Sequence, residues 1–189
     1  MRALILRGQP RARARVQSVA LQHARPEIAL GLARLGAPGG EDLEREWQLG
    51  EHPARDLRQA IADFSPDLIH SHGPPELTVC ANELTAGRIP VIHDVDEYGG
   101  EAEDPDLERR AVEDSAALVA PSQELLEELA SRYRLPRLAC VFPSYPLARE
   151  LADGLRDGSA EANIDRIVSL YGQLAREPLA IISGELRGR

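Results

Sequence analysis

Short apolar runs alternate with amphipathic stretches along most of the chain. Ala3-Leu4-Ile5-Leu6, Leu68-Ile69-His70, Ile89-Pro90-Val91-Ile92-His93, Ala117-Leu118-Val119-Ala120 and Leu138-Ala139-Cys140-Val141-Phe142 are too short for helices and read as buried strands. Between them, Leu57, Ile61 and Phe64 share one side of a helix predicted from Pro53 to Phe64. Leu77, Cys80, Ala81 and Leu84 fall at i, i+3, i+4, i+7 in a helix that begins at Pro75 and stops at Gly87. Leu107 to Ser115 is helical, and Ser122 is an N-cap for a helix reaching about Arg134 with Leu125, Leu126 and Leu129 inward. Pro26 opens a further predicted helix, with Ile28, Leu32 and Leu35 inward and Gly36 as its stop.

Some stretches carry less pattern. Arg11 to Ala24 fits a helical face through Val16, Val19 and Ala20, and also a strand from Val16 to Leu21. Glu41 to Gly50, which holds the only tryptophan, Trp47, shows weak periodicity. Asp153 to Ala160 reads as a flexible link. Ile164, Ile167, Val168, Tyr171 and Leu174 match a helix, although Ile167 to Gly172 also reads as a strand, and Leu179 to Ile182 resembles a last short strand. Strand alternating with helix predicts an α/β fold: a doubly wound, Rossmann-like three-layer sandwich with a mainly parallel sheet. It is expected over residues 1–146, with 147–189 as a linker and a short C-terminal tail.

In such a sheet parallel strands end at a common edge, and ligands bind outside their carboxyl ends. His70 and His72 close one strand, and His93 and Asp94 close the next, with Asp96 and Glu97 just beyond. These groups are therefore expected together at one rim. Gly8 follows the first strand, where a glycine lets backbone approach a phosphate or sugar. It stands alone, so the chain has no dinucleotide-binding fingerprint.

Composition narrows the reading. The net charge of −9 argues against nucleic acid as the main partner. The average hides an asymmetry: Met1 to Arg34 contains seven arginines and one acid, Glu27, whereas Asp94 to Glu108 contains eight acids and no base. A basic face suits anionic lipid or phosphate, and an acidic run suits a solvated loop. Cys80 and Cys140 are the only cysteines, one in a predicted helix and one in a predicted strand. They read as buried, reduced thiols of a cytoplasmic protein. No stretch has the length of a membrane span.

From Phe64 to Ser144 the chain resembles the N-terminal domain of GT-B glycosyltransferases, in the large retaining family that includes sucrose synthases and mannosyltransferases. Pro66-Asp67-Leu68-Ile69-His70-Ser71-His72 is similar to that family's "PDvIHaH" strand. Pro90-Val91-Ile92-His93-Asp94-Val95 is similar to its "PVvhDv" strand. Glu108 through Ala117-Leu118-Val119-Ala120-Pro121-Ser122 is similar to "E…ADaVia.S", and Val141-Phe142-Pro143 stands where the family has "VvPN". Two departures stand out. The family's glycine pair after the first strand is only Gly8 here, and its asparagine after Pro143 is Ser144. Tyr171-Gly172-Gln173-Leu174 faintly resembles the opening of the second, donor-binding domain.

The resemblance implies an acceptor-side domain that transfers a sugar from a nucleotide-sugar donor when a donor-binding half, or a homo-oligomeric partner, completes it. His93, with Asp94, takes the catalytic position at the cleft. Gly8, His72, Asp96, Glu97 and Ser122 are the substrate-binding candidates. Arg11, Arg13 and Arg15 are candidates for contact with anionic membrane or phosphate, as in relatives with lipid-linked acceptors. No cofactor is implied. Asp94-Val95-Asp96 has the form of a metal-binding pair from the other major glycosyltransferase fold, but the strands around it match GT-B, so no metal is expected there. His70 and His72 share a strand face and could ligate one metal, as in metal-dependent hydrolases. The usual acidic residue after such a pair is replaced by Gly73-Pro74-Pro75, so His70 is read as core-facing or sheet-bonded and His72 as exposed. The alternatives to sugar transfer are a non-catalytic sugar-, phosphate- or protein-binding module and, behind it, such a hydrolase.

Overall fold

The first apolar run becomes a central strand. A computed structural model of the chain describes residues 1–8, 25–35, 45–95, 104–141 and 159–176. The strands are β1 (Arg2–Arg7), β2 (Ala29–Leu35), β3 (Arg45–Leu49), β4 (Leu68–His72), β5 (Val91–Asp94), β6 (Ala117–Ala120) and β7 (Leu138–Val141). The helices are α1 (Pro53–Phe64), α2 (Pro75–Thr85), α3 (Pro105–Glu113), α4 (Gln123–Arg132) and α5 (Ser159–Arg176). The strands form one sheet in the order β3-β2-β1-β4-β5-β6-β7, and every pairing is parallel.

Both faces of a parallel sheet are covered, so its strands are apolar on both sides. Ala3 and Ile5 of β1 join Leu30, Leu32, Leu68, Ile92, Ala117 and Val119 on one face, where Ile164, Ile167, Leu170, Tyr171 and Leu174 of α5 seal them. Leu4 and Leu6 join Ala33, Ile69 and Val91 on the other face, under Leu57, Ala60 and Phe64 of α1 and Leu77 and Ala81 of α2. Leu118 and Ala120 extend that second face beneath Val112 of α3 and Leu126 and Leu129 of α4. Each fully buried aliphatic side chain contributes about 1.5–3 kcal/mol relative to exposure.

Local signals set the ends of the helices. Proline starts α1, α2 and α3, where its missing N–H costs nothing. Asp104 caps α3, accepting from the backbone N–H groups of Asp106 and Leu107, and Ser122 caps α4, accepting from Leu125. Glu108, the glutamate of the "E…ADaVia.S" phrase, is buried on α3 and accepts a 2.5 Å hydrogen bond from the Tyr133 hydroxyl just beyond α4. Burial first, and then Glu108, raises the Tyr133 phenol above its ordinary range, so it stays a donor.

The sequence pattern failed at one strand and left another unassigned. The helix expected from Pro26 is a turn followed by β2, with Ile28 N–H bonded to the Arg25 carbonyl. Ile28, Leu32 and Leu35 match a helical face, yet Ile28, Leu30 and Leu32 pack together on one side of the sheet with period two. Ala, Leu and Arg favour a helix intrinsically, and pairing with β1 and β3 overrides that preference. The weakly patterned segment around Trp47 is β3, an edge strand whose tryptophan meets Phe64 edge-on at 5.7 Å between ring centroids. In the tail, the helical reading of Ile164 to Leu174 holds and the strand reading of Ile167 to Gly172 does not.

Gly31 lies beneath that aromatic pair. A Cβ there would sit 3.0 Å from Trp47 and 3.1 Å from Phe64, whereas at Gly50 the nearest atom would be 3.5 Å away. We expect Gly31→Val to destabilise the fold by about 1–3 kcal/mol. Gly50→Ala should stay within about 0.5 kcal/mol of the parent. Urea melts of the two variants beside the parent check the difference.

Candidate functional site

The sheet order reverses at β1. β2 and β3 lie on one side of it, and β4 to β7 on the other. A crevice opens outside the carboxyl ends of strands at such a reversal. Gly8 leaves β1 there and Gly73 leaves β4. A Cβ on Gly8 would meet Pro74 Cδ at 2.8 Å, and one on Gly73 would meet Leu77 Cδ1 at 2.7 Å. Gly8 packs against the Gly73-Pro74 turn, and Gly73 against the Leu77 side chain. Gly8 is thus required by its neighbour Pro74.

The next two strand ends carry the polar groups. Register pairs Ser71 of β4 with His93 of β5, so these two share a face, while His70, His72 and Asp94 point to the opposite one. His70, His72, His93 and Asp94 do reach one rim, but the sheet divides them into two sets. All are enclosed: His93 is 1% exposed, His70 2%, Asp94 5% and His72 8%. The reading of His72 as exposed is therefore corrected. It shares the covered face with His70, and the two rings stack with centroids 4.1 Å apart.

On the α2 side, Thr78 Oγ1 donates to Ser71 Oγ at 2.8 Å and lies 2.8 Å from His93 Nδ1. With the hydroxyl proton given to Ser71, Thr78 accepts from Nδ1–H, which makes Nε2 the basic nitrogen of His93. Helix α2 thereby fixes the tautomer and orientation of the ring.

On the α5 side, His70 Nδ1 lies 2.7 Å from the Tyr171 hydroxyl. His72 Nδ1 is 3.1 Å from Asp94 Oδ2, and His70 Nε2 is 3.6 Å from the same oxygen. Burial first, and then the Asp94 charge, pushes the Tyr171 phenol far above its ordinary range, so it remains neutral. The same two causes raise the half-buried Cys140 thiol. Cys80 is also free and half-buried, with its thiol raised mainly by burial. Arg7 and Arg34 end β1 and β2 on this face by register, and Arg34 is paired with Glu46.

Ser122 is the N-cap of α4, as its position suggested, with its Oγ 3.3 Å from Leu125 N. Asp96, Glu97, Arg11, Arg13 and Arg15 lie outside the described residues. Among the described residues no helix is long and apolar enough to cross a membrane. Sequence reasoning passed over Thr78 and Tyr171. The signal for Thr78 was a hydroxyl next to the apolar Leu77 at the start of a buried helix. For Tyr171 it was a phenol inside an aliphatic stripe.

An all-parallel α/β sheet with this switch point is the architecture of an N-terminal GT-B-like domain. A family model described as Glycosyltransferase Family 4 matches residues 4–149, and the chain belongs to that family. Among solved structures, it is similar to the UDP-GlcNAc 2-epimerase from Neisseria meningitidis bound to UDP-GlcNAc. That match has 14% identity and a TM-score of 0.59, and covers 91% of this chain and 54% of that one. It is similar to UDP-N-acetylglucosamine 2-epimerase from Rickettsia bellii, with 11% identity and a TM-score of 0.58 over 83% of this chain and 48% of that one. A third similarity is to sucrose-phosphate synthase from Thermosynechococcus elongatus, with 14% identity and a TM-score of 0.57 over 90% of this chain and 98% of that one. At these identities the likeness concerns the fold alone. The chain spans about half the length of the two epimerases. No curated protein matches it.

Thr78→Val keeps shape and removes the hydroxyl that joins His93 to Ser71. We expect a loss of about 1–3 kcal/mol, because two buried polar groups lose their partner. Thr78→Ser should recover most of it. Chemical denaturation of both variants, with the His93 ring followed by NMR, checks this.

Proposed function

We propose that this chain is the acceptor-side domain of a retaining glycosyltransferase and works with a donor-binding half. The observation that carries the reading is the crevice at the β1–β4 reversal. There the ends of β1 and β4 carry the closely packed Gly8 and Gly73, and an oriented imidazole, His93, stands two strands from β1. The family match over most of the chain supports it.

In this reading the acceptor lies over the crevice. The nucleotide-sugar is held from the other side by the donor-binding half, whose basic groups take the leaving diphosphate. His93 is positioned by Thr78 at the end of β5, and imidazole suits proton transfer with a sugar hydroxyl near neutral pH. Asp94, directly after it, serves from the opposite face by fixing the end of β5. Asp96, Glu97 and His72 remain candidates for acceptor hydroxyls, Ser122 for substrate contact, and Arg11, Arg13 and Arg15 for an anionic membrane surface.

A second reading has an observation in its favour. His93 is enclosed and already bonded to Thr78, which also suits a non-catalytic module that binds a sugar or phosphate at the crevice. One experiment separates the two. The chain is purified under native conditions from its own host with whatever accompanies it. Transfer from radiolabelled UDP- and GDP-sugars to lipid and oligosaccharide acceptors is then measured. Transfer that falls roughly 100-fold or more with His93→Ala supports catalysis. Sugar binding without transfer in any fraction, or transfer indifferent to His93→Ala, overturns the catalytic role.

A further inference from the structure

The α5 face of the rim holds a constellation with a second use. His70, His72 and Asp94 each offer one ligand atom, and the three atoms lie within 4.8 Å of one another. All three side chains are buried. We propose that they bind one divalent transition ion of the zinc class, with Tyr171 as the outer support of His70.

The distances fit an ion. A tetrahedral zinc with ligands at about 2.0–2.2 Å keeps neighbouring ligand atoms about 3.4 Å apart. The two measured separations from Asp94 Oδ2, 3.1 Å to His72 Nδ1 and 3.6 Å to His70 Nε2, straddle that edge length. The second is too long for a hydrogen bond. One carboxylate oxygen facing two imidazole nitrogens in a buried site is an arrangement that a cation among them suits.

The second shell matches as well. Metal-ligating histidines hold their other ring nitrogen to an oxygen, which fixes the tautomer and leaves the ligating lone pair inward. His70 Nδ1 has such a partner in the Tyr171 hydroxyl at 2.7 Å, while Nε2 faces Asp94. Two imidazoles and one carboxylate are a donor set that suits zinc and leaves a fourth position for water. The Cys140 thiol is not among the ligand atoms gathered there. Sequence alone gave the His-x-His pair but no acid to complete it. The acid is Asp94, supplied by the neighbouring strand through register.

Binding is read directly, without any transfer assay. Tag-free protein is stripped with a chelator and titrated with zinc against a chromophoric competitor, and then with cobalt while visible absorption is followed. We expect about one equivalent of zinc per chain. Cobalt should give absorption bands of four-coordinate intensity, without thiolate charge transfer. Asp94→Asn and His72→Ala should abolish uptake, and Tyr171→Phe should weaken it roughly 10–100-fold. His93→Ala, on the other face, and His52→Ala, on the surface, should bind like the parent. Should His72→Ala fail to fold, the near-isosteric Asp94→Asn and the cobalt spectrum of the parent decide. Absence of stoichiometric uptake by folded parent overturns the proposal, as does uptake that survives Asp94→Asn. Either result leaves the role proposed for His93 untouched, because its side chain lies on the opposite face of the sheet from these ligands.

Discussion

The parallel register of β4 against β5 is the constraint from which the rim follows. Ser71 opposite His93 dictates that the two side chains rise on one face. The same alternation sends His70, His72 and Asp94 to the other. A slip of one residue would turn each polar group through the sheet and leave aliphatic side chains in its place. The register is secured further back along the strands, where Ile69 and Val91 pair on one face and Leu68 and Ile92 pack on the other. Aliphatic burial thus decides where the chemistry stands.

Having been sent inward, the polar groups need partners, because an unpartnered buried polar group costs about 1–3 kcal/mol. Each face solves this with a helix. Helix α2 brings Thr78, seven residues from Ser71 in sequence, so that side of the rim is assembled almost locally. Helix α5 brings Tyr171 to His70 across a separation of 101 residues. That second solution exists only once the last described helix has docked on the sheet through Ile164, Ile167, Leu170 and Leu174. The α2 side is therefore a product of a single βαβ unit, and the α5 side a product of the whole fold.

This difference explains what could be read in the sequence. Strands buried on both faces show as uninterrupted apolar runs, and β1, β4, β5 and β6 were visible for that reason; β7 showed the same run although it is a half-buried edge strand. β2 was not, because Ala29-Leu30-Gly31-Leu32-Ala33-Arg34-Leu35 has the composition of a helix and its leucines satisfy both periods at once. Only its neighbours β1 and β3 settle the matter, and neighbours are not written in a local window. The rim was legible as a set of residues because strand ends are marked by the change from apolar to polar. Its division into two faces needed register, and the burial of His72 needed α5. Glu108 shows the same limit: its place in a family phrase was plain, while its partner Tyr133 belongs to the end of a different helix.

The separation of the two faces has a consequence for how the rim works. Polar networks strengthen their members when complete, and a change in one member disturbs those it touches. Here Thr78 joins Ser71 and His93 on one face, and Tyr171, His70, His72 and Asp94 come together on the other. The only covalent link is the backbone of β4 and β5, where Ser71 lies between His70 and His72, and His93 precedes Asp94. Anything that tightens the α5 side, a proton or an ion between imidazole and carboxylate, therefore reaches His93 through the strand it shares with Asp94. Strand backbones held by neighbours on both sides move little. The α5 network can thus fix the ends of β4 and β5 firmly without altering the hydrogen bond that orients His93, and one rim can carry two chemistries that answer to different partners.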